Sequence, residues 1–194
     1  KGSKKNYSEY GLNPTDLTAN QLKKSPILFL QGRQGNQGAF RYFASAISKE
    51  GSLGPIFTVN LDCGDLKMSD LEIIDIKIQE IQRLYKKRLI SLNLVGYSRG
   101  AELALYAALP KNVFHIDDRS FCYACSKWTC WRPEIGKIIR IGSKTLLKEW
   151  EALSPKMQKS IYEVRGSLDV LMPGLPYSKQ SFLVESGHVG LLYS

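Results

Sequence analysis

Gly96-Tyr97-Ser98-Arg99-Gly100 places a serine between two glycines, each two residues away. Set at the tip of a sharp strand-to-helix turn, such a serine is lifted clear of the backbone. Side chains at 96 and 100 would strike the neighbouring strand or helix, so glycine is required there. The Arg99 N–H then sits at a helix N-terminus, where it can donate to a developing oxyanion. A serine is a weak nucleophile unless a base takes its proton and a carboxylate orients that base. The sequence holds two histidines. His188, in Ser186-Gly187-His188, follows the apolar run Phe182–Glu185, whereas His115 precedes its nearest strand and falls at the opposite end. Asp169, in Gly166-Ser167-Leu168-Asp169, directly follows the run Ile161–Arg165. Glu163 lies inside that run and points elsewhere, and Asp117 and Asp118 could serve only His115. A second oxyanion donor is expected from the loop Gln31-Gly32-Arg33-Gln34-Gly35, with the Arg33 N–H the choice. The chemistry these residues could perform is acyl transfer: Ser98 attacks an ester or thioester carbonyl, His188 moves the proton and Asp169 holds the imidazole.

The elements that must position these groups alternate strand and helix. Ile27–Leu30, Ile56–Leu61 and Ser91–Val95 read as buried strands, as do Phe121–Cys125, Ile161–Arg165 and Phe182–Glu185. Ser69-Asp70-Leu71-Glu72 is a capping box opening a helix whose apolar stripe is Leu71, Ile74, Ile78, Ile81 and Tyr85. A second helix is expected from about Arg99 to Leu109, stopped by Pro110. Pro133–Leu153 reads as helical in places, interrupted by Gly136 and Gly142. Uniformly apolar strands between helices imply a parallel sheet covered on both faces, with ligands outside the carboxyl ends of the strands. Ser98, Asp169 and His188 each stand at such an exit.

With 194 residues, 43% hydrophobic and 23% charged, the chain suits one globular domain, which excludes disordered, collagen-like and coiled-coil classes. Residues 1–25 form a polar N-terminal segment and 26–194 the domain. Neither a signal peptide nor an apolar run of membrane-spanning length is visible, so a soluble protein is expected, cytoplasmic or exported by a signal-less route. Twenty-seven basic against 18 acidic residues give a net charge of +9, which favours anionic partners. The basic residues are scattered, with no nucleic-acid module, so an anionic membrane surface is the expected peripheral contact and nucleic acid is not.

These motifs resemble the α/β-hydrolase superfamily, and most closely its lipase branch with the GPI inositol-deacylase-like proteins. The resemblance rests on Pro26–Gly32, Gly54–Leu61 and Asn93–Gly100, with Gly166–Asp169 and Ser186–His188. It implies an α/β-hydrolase fold, here a mostly parallel sheet of about six strands, and ester hydrolysis, often of lipids, with no cofactor. It also implies a covering helix after His188, although the chain ends at Ser194. Three departures stand out. Gln31-Gly32 replaces the usual His-Gly, Tyr97-Ser98 the usual His-Ser, and Arg99 a small or apolar residue. The Arg99 guanidinium could attract an anionic head group or pair with Glu102 one turn on.

Cys122, Cys125 and Cys130 make C-x2-C-x4-C, with Cys63 far off. On a strand, Cys122 and Cys125 would face opposite ways, and only His115 is near as a fourth ligand, so free thiols are expected rather than a metal. Residues 126–153, with Trp128, Trp131 and Trp150 and the apolar Ile135, Ile138, Ile139, Leu146 and Leu147, form either a lid over the serine or sheet-covering helices. Three functions stay open. The leading one is a serine esterase or lipase acting on a lipid ester. The others are a thioesterase acting on acyl-proteins or acyl carriers, and a catalytically silent domain that binds an anionic membrane or a protein.

Overall fold

The computed structural model describes residues 12–33, 40, 41, 43–45, 53–61, 68–86, 91–109, 115–116, 119–120, 134–144, 147–172 and 178–192. Six strands form its sheet: β1 (Ile27–Leu30), β2 (Ile56–Thr58), β3 (Ser91–Tyr97), β6 (Glu134–Ile141), β7 (Ile161–Gly166) and β8 (Ser181–Val184). Their order is β2-β1-β3-β6-β7-β8, and every pairing is parallel. Two short strands, β4 (His115–Ile116) and β5 (Arg119–Ser120), pair antiparallel as a separate ribbon. Among the described residues the helices include α1 (Met68–Leu84), α2 (Arg99–Ala108), α3 (Leu147–Ala152) and α4 (Pro155–Gln158).

The apolar strands are explained by two covered faces. Successive side chains point to opposite sides, so Leu28, Leu30, Leu92, Leu94, Ile138 and Ile161 enter one core with α1 and α2. Ile27, Phe29, Val95, Tyr97 and Ile141 enter the other, against Phe40, Ala44 and Leu191. The stripe Leu71, Ile74, Ile78, Ile81 and Tyr85 is buried as its spacing requires, each side chain contributing roughly 1.5–3 kcal/mol by burial. The Tyr85 hydroxyl donates to the Lys24 carbonyl at 2.7 Å, pinning the segment that leads into β1 to the end of α1. In α1 the helix begins at Met68, one residue before the expected N-cap Ser69.

One expectation is corrected. Residues 134–141 are not helical: they form β6, next to β3 in the centre of the sheet. Ile135, Ile138 and Ile139 fit helical spacing, yet their branched β-carbons suit a pleated strand covered on both sides. Such a strand shows no alternation to read, and the buried Arg140 breaks its apolar pattern. These eight residues therefore cannot belong to a lid or a covering helix. Among the described residues of 126–153, α3 is a helix that packs on the core, with Trp150 and Ala152 against it. The strand expected at Phe121–Cys125, all four cysteines, Asp117, Asp118, Trp128 and Trp131 lie outside the described residues.

Candidate active site

Parallel strands align their carboxyl ends, so the loops after β1, β3, β6, β7 and β8 meet at one rim. Ser98 stands between β3 and α2 with φ 53° and ψ −121°, a left-handed conformation that costs a non-glycine residue roughly 1–3 kcal/mol. Its backbone N–H donates to Ile141 at 2.8 Å, which fastens the turn to the end of β6. Its hydroxyl caps no helix hydrogen bond. The glycines are dictated by contact. A β-carbon on Gly96 would lie 2.2 Å from the Gly100 carbonyl oxygen, and one on Gly100 would lie 2.0 Å from the Leu30 carbonyl oxygen.

His188 and Asp169 meet: Nδ1 of the imidazole lies 2.7 Å from Oδ2 of the carboxylate. The other carboxylate oxygen accepts from the N–H groups of Leu171 and Met172, both at 3.1 Å. Asp169 is thus fixed by its own loop, with one oxygen left for the histidine. The β7 and β8 exits can approach because residue 166 is glycine, where a β-carbon would fall 2.1 Å from the Ser186 carbonyl oxygen.

Two contacts bring the imidazole to the serine's turn. The Tyr97 ring lies 5.1 Å from the His188 ring, and its hydroxyl donates to the His188 carbonyl at 3.0 Å. On the β6 side the ring rests on Gly142, where a β-carbon would be 3.1 Å from both Cε1 and Nδ1. Gly142 has φ +54°, which glycine adopts without strain. Tyr97 adjoins Ser98 in the chain, and Gly142 adjoins the Ile141 that receives the Ser98 N–H. His115 belongs to the β4–β5 ribbon, outside the six-stranded sheet.

The loop after β1 closes the third side. A β-carbon on Gly32 would lie 2.9 Å from Tyr97 Cδ1 and 3.4 Å from Ser98 Cβ, and Arg33 follows with an exposed side chain. Gln31 is buried and donates to the Leu61 carbonyl at 3.1 Å, so it braces this loop from below. Arg99 supplies the first N–H of α2, but its guanidinium turns inward and forms a buried ion pair with Asp70 of α1. That corrects the expectation of a head-group contact: the guanidinium pairs with an acid on another helix, and its charge also acts on Glu102 one turn on. Burial pushes the carboxyl of the nearby Glu102 above its usual range, an effect that Lys144, Arg140, Arg33 and Arg99 partly offset.

Sequence reasoning treated Tyr97 as a simple variant, Gly142 as a helix interruption and Asp70 as part of a cap. Only Gly142 carried a local signal, since glycine just past a strand invites a positive φ.

No family model matches the sequence, and no curated protein matches it. Solved structures do. A predicted CIB-like hydrolase from Thermoplasma acidophilum superposes with a TM-score of 0.58 at 13% identity, over 91% of this chain and 82% of that one. A carboxylesterase structure from Nitrososphaera gargenis gives 0.52 at 10% identity, over 89% and 86%. A bacterial membrane phospholipase A gives 0.52 at 11%, over 88% and 74%. The fold is that of the α/β-hydrolases. Within that fold, identities this low carry architecture and leave chemistry to the site itself. Among the described residues, no helix is long and apolar enough to cross a membrane.

Proposed function

We propose that the protein is a serine hydrolase that cleaves carboxylic esters, with Ser98, His188 and Asp169 as its catalytic triad. The observation that carries this reading is the 2.7 Å His188–Asp169 hydrogen bond beside a strained serine turn. Asp169 holds the Nδ1–H tautomer, so Nε2 is the basic nitrogen. Ser98 Oγ attacks the ester carbonyl as His188 takes its proton, and the tetrahedral oxyanion is bound by the backbone N–H groups of Arg33 and Arg99. His188 protonates the departing alcohol, then takes a proton from the water that releases the acid from the acyl-serine.

A lipid ester is the substrate class we favour. Leu168, Val170 and Leu171 flank the acid, Val189 follows the base, and all four are exposed. An acyl chain would find apolar surface beside the reacting groups, and a net charge of +9 favours an anionic lipid surface.

The experiment is hydrolysis of lipid, short-chain and thioester substrates by the wild type, Ser98→Ala and Asp169→Asn. The wild type should prefer lipid esters, Ser98→Ala should lose about 10⁶-fold in kcat and Asp169→Asn about 10⁴-fold. A folded wild type that cleaves none of them, or a Ser98→Ala protein that keeps its activity, would refute the proposal.

A further inference from the structure

Arg140 lies in β6 with no exposed surface, a fully buried cation at the centre of the sheet. Its Nη1 lies 2.6 Å from Oε1 of Glu163 in β7. Its Nη2 donates to the Lys144 carbonyl at 2.7 Å, and its Nε to the Ala101 carbonyl at 3.4 Å. The second oxygen of Glu163 accepts from the Ser178 N–H at 3.1 Å, and the Ser178 hydroxyl donates to the Ile161 carbonyl.

Each of these partners belongs to an arm that carries part of the candidate site. Ala101 is in the first turn of α2, which Ser98 directly precedes. Lys144 lies two residues past Gly142, which meets the imidazole. Glu163 is in β7, which leads to Asp169, and Ser178 lies three residues before β8, which leads to His188. Stability alone is a poor reason for such a pair, because removing two charges from water costs about as much as their attraction returns. A guanidinium does supply directed hydrogen bonds from a rigid plane, which a lysine cannot reproduce.

We infer that Arg140, braced by Glu163, is a positioning residue that holds the Ser98, Asp169 and His188 arms in register at the rim. It touches no reacting atom. The inference rests on the triad reading above and adds to it the device that aligns the three arms.

The test compares wild type, Arg140→Lys and the double variant Arg140→Met/Glu163→Met, using a fluorophosphonate probe, ester kinetics and thermal melting. The double variant replaces both charges with apolar side chains but also removes the carboxylate that lies 3.8 Å from Arg165 Nη2, so it should fold with a melting temperature somewhat below that of the wild type. In both variants the probe should label every molecule, at least tenfold more slowly, with kcat reduced to match and KM within twofold. Partial unfolding would instead lower the labelled fraction and leave the rate of the remainder unchanged, which counts against positioning. A folded variant of either kind with wild-type labelling rate and kcat overturns the inference. Failure of both variants to fold also overturns it, because the pair would then be needed for the fold itself. A folded wild type that the probe leaves unlabelled overturns the triad reading instead, and this inference with it.

Discussion

Ser98 is one of three non-glycine residues with positive φ among the described residues, beside Asn13 and Lys86, and it combines φ 53° with ψ −121°, where glycine would sit without strain. A residue retained against such a cost serves something other than stability. Ser98→Gly is therefore expected to be at least as stable as Ser98→Ala in urea unfolding, although glycine ordinarily costs about 0.5–1 kcal/mol relative to alanine. A glycine variant less stable by that margin would mean the turn is unstrained. Gly100→Ala should lose about 3 kcal/mol or more, since its β-carbon meets the Leu30 carbonyl oxygen at 2.0 Å and neither backbone can easily retreat. These local clashes were legible in the sequence because spacing alone reveals them. The roles of Tyr97 and Gly142 were not, since both act on His188, a residue far along the chain.

Among the elements, the strands and their exits were readable wherever an apolar run ended at glycine, as at β1, β3 and β7. The central strand β6 was not, because its burial, exposed at Glu134 and Lys137 and deepest from Ile138 onward, has no period of two and its isoleucines also satisfy a helix. The pairing of α1 with α2 was equally hidden. Asp70 looks like a helix-start acid, and only the folded chain sets it against Arg99. That ion pair is buried on both sides, so removing one member leaves a charge in the core. Asp70→Asn should cost about 3–5 kcal/mol in chemical denaturation, whereas Asp70→Met with Arg99→Met should recover most of the loss. Equal losses in the single and double variants would show that packing, not charge, sets the cost.

For the molecule as a whole, the balance of charge was plain from composition, but its placement was not. The chain carries +9, and four of its cations, Lys144, Arg140, Arg33 and Arg99, act on one buried acid, Glu102. Burial outweighs them and raises the Glu102 pKa. Between its unfolded and folded pKa values the folded state binds the extra proton, so this group lowers stability as pH rises through that window. Glu102→Gln should accordingly be more stable than wild type at neutral pH. The difference should vanish below the usual carboxylate range, where both chains are uncharged at this position. A gap that stays constant with pH would show that the carboxylate is not destabilised by its burial.

The His188–Asp169 hydrogen bond and the Ser98 turn share one rim of the sheet, and the proposed triad needs the hydroxyl to reach that imidazole. The most direct measurement is mass spectrometry of the protein after fluorophosphonate treatment, with the adduct mapped to a peptide. A single adduct is expected on the peptide containing Ser98, forming about 10⁶-fold more slowly or not at all in His188→Ala. No adduct on the folded wild type, or an adduct on another residue, would contradict the assignment of Ser98 as the nucleophile.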